Sequence, residues 1–247
     1  DQGKTPDSIL VIYRVYNGSS VGSDKVTQMK VRVGDWFSSE QSLLDEYKQF
    51  DFDVPVFRII NQNTGVEYSY IQRAIDNATA GNTIFLSSGE YNENVIIDKP
   101  LTLIGAGSDS TIISGVISGL GSPPLFDSSL AGIEITADDV EVSDLQVSDF
   151  FKGIRLYNAN GAILSNIKII DVTSQGVDIS QSQNVEIAGL HIESSGLSGV
   201  YVGDVSSNFE MSDTVVIDGQ SHGIEISSEN AYIHNVTVLN NDGYGCY

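Results

Sequence analysis

Side chains able to do acid–base or ligand-binding chemistry recur along the second half of the chain at spacings of 21 to 24 residues. All but the last stand between two branched apolar residues that follow a glycine, as in the "GIEI" that begins at Gly132 and again at Gly223. A pair of carboxylates with a base nearby supports general acid–base catalysis, and an aromatic ring between them favours sugar binding. The members of this series are Glu134, Arg155, Asp178, Tyr201, Glu225 and Tyr247.

The repeat that carries these side chains predicts a β-solenoid. A period of 21 to 24 residues is too short for a propeller blade or a helical-pair repeat, and the Leu-x-x-Leu-x-Leu frame of leucine-rich repeats is missing. Such a period suits one coil of two or three short strands, with equivalent positions stacked about 4.8 Å apart on successive turns. The recurring glycine then marks a sharp corner at which a side chain would be crowded.

Alternation within each repeat predicts which residues face the core. The two apolar residues of each triplet point inward, and the residue between them faces solvent. The chemical series therefore forms one outer column, in which Asp178 and Glu225 are two turns, or about 9.6 Å, apart. The first inward stack comprises Ile133, Ile154, Val177, Val200 and Ile224, and the second comprises Ile135, Leu156, Ile179, Val202 and Ile226.

A second recurring position predicts a turn. Its residues are of the types that tolerate a left-handed backbone and hydrogen-bond locally, so we interpret them as bend residues and not as catalytic groups. They are Asp144, Asn166, Gly189, Asp213 and Asn235.

The first part of the chain lacks the repeat. Residues 1–60 are predicted to form a small β-rich module, with strands in "SILVIYRVY" and "QMKVRVGDWF" and a short helix in "SSEQSLLDEYKQF". Residues 61–247 form the solenoid, which makes the fold class all-β. Near its start we expect one helix with an apolar stripe, a Ser69 N-cap and a stop at Gly81. The stripe consists of Ile71, Ala74, Ile75 and Ala78.

The segment "YSYIQRAIDNATAGNTIFLSSGEYNENVIIDKPLTLIGAGSDSTIISG", residues 68–115, resembles the opening of right-handed parallel β-helix proteins of the pectin-lyase-like superfamily. With the preceding "NQNTGVEYSYIQ", it is similar to cell-surface β-helix proteins of methanogenic archaea. The resemblance implies that the helix caps the N-terminal end of the solenoid. It implies little about activity, because the superfamily spans lyases, hydrolases, esterases, epimerases, tailspikes and surface proteins.

Two interpretations of the outer column remain. In an enzyme acting on polysaccharides, such as a lyase, glycoside hydrolase or epimerase, Asp178, Glu225 and Arg155 would carry the chemistry. Otherwise the alternating charges keep a sheet face soluble, or bind a glycan through Glu134, Arg155, Asp178, Tyr201 and Glu225. The motifs of polygalacturonases, pectate lyases, pectin esterases and epimerases are absent. We therefore expect a non-enzymatic extracellular or cell-surface protein, structural (a surface-layer or filament subunit) or glycan-binding.

The charge and hydropathy of the chain argue against some classes of binding partner. With 33 acidic and 12 basic residues, the formal charge of −21 repels nucleic acids and acidic polysaccharides. No apolar run is long enough for a transmembrane segment. The last repeat begins at Gly245, so we expect either a longer repeat protein or a further subunit, a second copy or another surface protein, that covers the open coil.

The sequence offers few candidate residues for binding a cofactor or for covalent modification. Three histidines, His191, His222 and His234, occupy different repeat positions, so no metal site is expected, although the polar turns near Ser108 and Asn241 offer oxygen ligands for calcium. The single cysteine, Cys246, falls on an inward position and is predicted to be a core residue. Acceptor sequences for N-glycosylation occur at Asn17, Asn77 and Asn235.

Overall fold

The computed structural model describes residues 58–115, 131–203 and 205–247, together with the backbone of two short strands nearer the N-terminus. The chain divides into two units, residues 1–56 and 57–247. In the first unit, β1 (Met29–Val31) pairs antiparallel with β2 (Lys48–Phe50). Strand β1 lies in a segment predicted as a strand, whereas β2 occupies the end of the predicted short helix, which is wrong for those residues. The other predictions for residues 1–57 lie outside the described residues.

The second unit is a right-handed β-solenoid of about six turns, as the repeat predicts. Each turn contributes to three parallel sheets, which follow one another along the chain as sheets 1, 2 and 3. Sheet 1 contains the strands that follow the corner glycines. Its members are β7 (Val95–Ile97), β10 (Ala131–Ile135), β12 (Lys152–Tyr157), β14 (Val177–Ser180), β17 (Val200–Val202) and β20 (Ile224–Ile226).

Sheets 2 and 3 meet at a bend, which two long strands cross without a break. Sheet 2 begins with three strands, of which the middle one is antiparallel to both of its neighbours, and then continues in parallel. It contains β3 (Ile59–Asn61), β4 (Val66–Tyr68), β5 (Asn82–Leu86), β8 (Leu101–Gly105), β11 (Glu141–Ser148), β13 (Ile163–Val172), β15 (Glu186–Ala188), β18 (Ser207–Ser212) and β21 (Glu229–His234). Sheet 3 contains β6 (Gly89–Tyr91), β9 (Thr111–Ser114), β16 (His191–Ser195), β19 (Val215–Ile217), β22 (Thr237–Leu239) and the second halves of β11 and β13.

Both predicted inward stacks are confirmed. The register of sheet 1 aligns Ile133 with Ile154, Ile154 with Val177, and the later members in the same way. The first stack is fully buried, and the second is buried except for its last member, Ile226, which is partly exposed. Burying such branched side chains contributes about 1.5–3 kcal/mol each, so these stacks supply much of the stability of the solenoid.

Close backbone approach explains the corner glycines. A methyl group on Gly153 would lie 2.5 Å from the carbonyl oxygen of Gly176, and one on Gly176 would lie 2.5 Å from that of Gly199. The same position on Gly199 is 2.3 Å from the side chain of Val216. A Cβ atom does not fit at these distances, so the glycine repeat is required by packing between successive turns.

Three ladders of left-handed residues, rather than one, form the bends of each turn. Ladder 1, between sheets 2 and 3, is the predicted one, and every member has a positive φ. Ladders 2 and 3 stand at the start of sheet 2 and at the end of sheet 3 and were not predicted. Ladder 2 comprises Asp139, Gly161, Asn184, Asn208 and Asn230, and ladder 3 comprises Asp149, Asp171, Ser194, Asp218 and Asn240.

Side-chain amides link the ladders from turn to turn. In ladder 1 the amide of Asn166 donates to the Oδ1 of Asp144 at 3.3 Å, and that of Asn235 donates to the carboxylate of Asp213. The amide of Asn240 donates in the same way to Asp218 in ladder 3, at 3.1 Å. Within these pairs the donor always belongs to the later turn.

A single short helix, α1 (Ile71–Asp76), lies within the described residues of the second unit. Its Ile71, Ala74 and Ile75 join the core, as predicted, and it contacts β3, β4, β5 and β7. The predicted cap is wrong, because Tyr70 holds the N-cap position and makes no side-chain capping bond. The helix also ends before Gly81, with Asn77 as its C-cap.

A distant carboxylate caps the helix instead. The Oε1 and Oε2 of Glu93 accept the backbone N–H groups of Ile71 at 2.7 Å and Gln72 at 3.1 Å. The residue is only 3% exposed. Burial raises the pKa of the Glu93 carboxyl above its ordinary value of 4.5, although the two backbone hydrogen bonds act in the opposite direction.

We expect Glu93→Ala to lower the free energy of unfolding by about 2 kcal/mol, because two buried helix donors lose their acceptor. The exposed Glu90→Ala is the matched control and should leave stability within about 0.5 kcal/mol of wild type. Urea unfolding followed by circular dichroism measures both. Equal midpoints for the two variants would show that the capping bonds contribute nothing.

The same carboxyl gives stability a pH dependence of defined sign. A carboxyl whose pKa is raised by folding stabilises the native state fully below its unfolded pKa, about 4.5, and loses that contribution as pH rises through the raised value. The free energy of unfolding of wild type minus that of Glu93→Gln should therefore fall as pH rises from about 4.5 through the raised pKa of Glu93. A difference that grows with pH would mean that folding lowers the pKa.

Candidate functional site

The predicted outer column exists as one continuous row across sheet 1. Its residues pair in register from turn to turn, and they alternate with the buried stacks. The register joins Glu134 to Arg155, Arg155 to Asp178, Asp178 to Tyr201 and Tyr201 to Glu225. Because Ile224 bridges Cys246, Tyr247 takes the next place in the row.

A second column that the sequence did not reveal runs beside the first. Its members each precede a corner glycine. In all but the first member, the carbonyl oxygen accepts the N–H of the glycine one turn earlier. Three of them, Lys152, Ser198 and His222, contact the outer column of the following turn diagonally. These partners are 25 to 27 residues further on, which is off the 21-to-24-residue period. This second column comprises Lys152, Gln175, Ser198, His222 and Tyr244.

Charges at the N-terminal half of this face are paired. The Nη1 of Arg155 lies 2.7 Å from the Oε1 of Glu134, and its guanidinium carbon lies 4.9 Å from the centre of the Tyr157 ring. The ammonium group of Lys152 pairs diagonally with Asp178. Both basic groups of this region are therefore held against carboxylates and an aromatic ring.

Asp178 is the most enclosed member of the outer column. It is 5% exposed, its Oδ2 faces Lys152, and its Oδ1 accepts the hydroxyl of Ser180 at 3.0 Å. A general base needs a lone pair that can reach the substrate proton. In this arrangement, both oxygens of Asp178 are already bonded to neighbouring side chains.

Glu225 and an aromatic cluster occupy the C-terminal half of the face. The Oε2 of Glu225 accepts the hydroxyl of Ser198 at 2.6 Å. Beside it, the rings of His222, Tyr244 and Tyr247 are nearly parallel, with centroids 5.2 to 5.7 Å apart. The sequence repeat predicts the place of Tyr247 in the column, but it does not predict that His222 and Tyr244 lie beside it.

The face is thus divided by chemistry. Ion pairs dominate its first turns, Tyr201 stands in the middle, and aromatic rings dominate its last turns. Asp178 and Glu225 are separated by one intervening strand, so their backbones are about 9.6 Å apart. The residues predicted for ligand binding lie next to one another in this row. The carboxylate of Asp178 pairs with Lys152, whereas that of Glu225 accepts a hydrogen bond from Ser198.

A shallow groove of about 440 Å³ lies on another side of the solenoid, along sheet 3. The loop of residues 107–110 borders it, and Asp109 of this loop pairs with the ammonium group of Lys168. His191 also lines this groove, and its Nε2 lies 3.5 Å from the Oε2 of Glu193. Among the residues that line the groove, His191 is the one aromatic ring, and Asp109 and Lys168 pair with each other.

The remaining predicted residues lie apart from the face. Asn77 and Asn235 are exposed, with side-chain amides that donate to Arg73 O at 2.8 Å and to Asp213, whereas Asn17 lies outside the described residues. Cys246 is exposed, and its predicted core position is therefore wrong. The register places it over Ile224 as expected, but no described residue covers it.

The described part of the chain contains no helix with the length and apolarity of a membrane span. It also contains no cluster of three or more histidine, cysteine or carboxylate side chains with the spacing of a metal site.

Part of the chain is similar in sequence to a protein named as a cell surface glycoprotein. A cell surface glycoprotein of Methanothermus fervidus is 32% identical over 108 residues, which is 43% of this chain. The matched part is 16% of that protein, so the chain spans only a small share of its relative's length.

Solved structures give the fold. The A-modules of the mannuronan C-5 epimerases AlgE4 and AlgE6 of Azotobacter vinelandii superpose with TM-scores of 0.58 and 0.60 over 71% of this chain. Their identities are 19% and 20%, and the alignments cover 54% and 53% of those chains. At this identity the likeness concerns the fold and not the activity.

The family model described as "Right handed beta helix region" matches residues 106–247, more than half of the chain. The match covers the turns that carry the corner glycines, the inward stacks and the outer face described above. The chain therefore belongs to the right-handed β-helix family.

Proposed function

We propose that this chain is a non-enzymatic module of an extracellular or cell-surface protein, structural or glycan-binding, and that sheet 1 presents its working face. The observation that carries this proposal is the pairing on that face. Glu134, Asp178 and Glu225 each bond to a side chain of a neighbouring turn. The relative named as a cell surface glycoprotein supports the location.

We further propose that α1, held by Glu93, is the N-terminal cap of the solenoid, and that residues 1–60 form a separate small β-rich module. A repeat solenoid needs a cap because its first turn otherwise exposes apolar side chains and unpaired backbone groups. The buried stripe of α1 meets this need, since it packs against the first strands of the second unit. The exposed Asn77 and Asn235, with Asn17, are the proposed sites of N-glycosylation on a secreted chain.

The second candidate function is a polysaccharide-active enzyme. It is favoured by the likeness in fold to two epimerase modules and by the cluster of Lys152, Arg155 and Asp178 on the outer face. In such an enzyme the basic groups would neutralise a uronate while a carboxylate moved the proton. The full pairing of Asp178 stands against this role.

Incubating the purified protein with pectate, alginate and polygalacturonate separates the two candidates. We expect no new unsaturated or reducing ends and no change in the mannuronate-to-guluronate ratio by ¹H NMR. Asp178→Asn is the matched control for any activity that is seen. Turnover by wild type that disappears in this variant would establish the enzyme and remove the non-enzymatic proposal.

Location is tested separately, on native cells. Antibodies against the purified chain should label intact cells, and a short protease treatment of those cells should remove the signal. Labelling that needs permeabilised cells would contradict a surface location, whatever the polysaccharide assay shows.

A further inference from the structure

An exposed cluster of three aromatic rings lies at the C-terminal half of sheet 1. The ring centroids are 5.4 Å apart for His222 and Tyr244, 5.2 Å for His222 and Tyr247, and 5.7 Å for the two tyrosines. Their planes differ by only 10° to 19°. Tyr244 is 64% exposed and Tyr247 is 67% exposed.

The geometry leaves ring faces free for a ligand. Three centroids with nearly equal separations form a triangle, so no ring is sandwiched between the other two. The two tyrosines share His222 as a common neighbour, and each keeps most of its surface in solvent. Contiguous aromatic surface on the outer face of a sheet is a feature of ligand-binding sites.

Polar groups at the edge of the cluster are oriented by the backbone. The Nδ1 of His222 accepts the N–H of Tyr244 at 2.9 Å, which places the proton of the neutral imidazole on Nε2. The hydroxyl of Ser198 donates a hydrogen bond to the Oε2 of Glu225, and the other carboxylate oxygen remains as an acceptor for a ligand. With the two tyrosine hydroxyls, the cluster offers both donors and acceptors around its ring faces.

Charge decides which ligand suits these groups. Glu225 lies next to Tyr247 in the row. The basic residues Lys152 and Arg155 lie in the other half of the face, and the chain as a whole carries a formal charge of −21. An anionic polysaccharide would meet repulsion at this end with no cation to offset it. An uncharged pyranose has C–H faces that pack on aromatic rings and hydroxyls that bond to a carboxylate and an imidazole.

We propose that His222, Tyr244 and Tyr247, with Glu225 at their edge, form a binding site for neutral sugar units of a glycan. This inference rests on the proposed glycan-binding function, and it assigns the ligand to the C-terminal half of the face. The ion-paired first turns shape the face, and the aromatic last turns hold the ligand. Tyr201, one strand before Glu225, is the next contact for a chain of sugar units that runs along the row.

Titration of the purified protein with neutral oligosaccharides tests the site. Maltohexaose, cellohexaose and mannohexaose serve as neutral probes and a polygalacturonate hexamer as the anionic one, with binding read by tyrosine fluorescence and calorimetry. We expect at least one neutral probe to bind, and to bind about tenfold or more tightly than the anionic probe. Failure of all neutral probes, or equal binding of the anionic one, would overturn the proposal.

Variants locate the binding. Tyr244→Ala and Tyr247→Ala should each weaken the neutral probe by about tenfold or more, while Tyr244→Phe keeps most of the affinity because the ring remains. Tyr232→Ala is the matched control, since Tyr232 is 63% exposed on sheet 2 beside His234. Loss of affinity in Tyr232→Ala equal to that in Tyr247→Ala would place the site elsewhere.

A second copy of the chain is the competing occupant of the rings. If the cluster served self-association, light scattering would show a dimer or filament that Tyr244→Ala and Tyr247→Ala dissolve, with no sugar effect. That outcome would replace the glycan ligand, yet cell labelling would still report a surface protein. A failure of this inference is therefore distinguishable from a failure of the proposed location.

Discussion

Val200→Asp is expected to unfold the middle of the solenoid. Val200 is fully buried, and it lies in the first inward stack between Val177 and Ile224. The substitution removes apolar burial and places a carboxylate where no cation or hydrogen-bond donor reaches it, at a cost of roughly 5 kcal/mol or more. Because whole domains are stable by about 5–15 kcal/mol, this one change should remove most of the native population.

The neighbouring residue gives the control. Tyr201 faces outward in the next position, so Tyr201→Ser should change the free energy of unfolding by at most about 1 kcal/mol. Thermal and urea unfolding, followed by circular dichroism, compare the two variants with wild type. A Val200→Asp protein that melts like wild type would mean that the inward and outward positions have been exchanged.

Gly176→Ala is expected to destabilise by about 3 kcal/mol, although it adds one methyl group. The added carbon would lie 2.5 Å from the carbonyl oxygen of Gly199 and 2.7 Å from the side chain of Ile192. The first of these neighbours is backbone in the next turn, so relief requires the two turns to separate. The loss should appear as a lower urea midpoint.

Gly203→Ala is the matched control for this corner. Its added carbon would meet nothing nearer than 3.5 Å, an ordinary contact with the ring of Tyr201. We expect its midpoint to stay within about 0.5 kcal/mol of wild type. Equal destabilisation by both substitutions would assign the effect to the general loss of glycine, and not to contact between turns.

The sequence was sufficient for the features that repeat at a fixed interval. The alternation of Ile154, Arg155 and Leu156 gives the inward and outward sides of one strand, and its recurrence gives the stacking. The left-handed bend of ladder 1 was predictable because Asp144, Asn166 and Asp213 all belong to residue types that tolerate it. Repetition averages out the ambiguity that a single short strand would have.

Contacts that depart from the period were not predictable. Lys152 meets Asp178 at a separation of 26 residues and Ser198 meets Glu225 at 27, whereas equivalent positions are 21 to 24 apart. The offset depends on how far a side chain reaches across the strand to the next turn. A search for complementary pairs one turn plus a few residues apart would have found these contacts.

Local pattern also failed where a distant group took over a local role. Ser69 has the residue type of an N-cap, but the acceptor for the first turn of α1 is Glu93, 22 residues from Ile71. Cys246 obeys the register, yet burial depends on a layer above it and not on the register alone. Ladder 3 includes Ser194, which is not a typical left-handed residue, whereas the members of ladder 2 are all Asp, Asn or Gly and carry the same signal as ladder 1.

The direction of the amide bonds in the ladders implies that the turns are not interchangeable. Each linking amide belongs to the later turn and each acceptor to the earlier one, as in Asn166 over Asp144 and Asn235 over Asp213. A tandem copy of the turn that contains Asp213 would place two carboxylates about 4.8 Å apart with no donor between them. Asp171 over Asp149 is the one position that already has this arrangement in the described ladders. Turns with equivalent cores therefore carry a fixed order, and shuffling them would keep the core while setting like charges against each other at the bends.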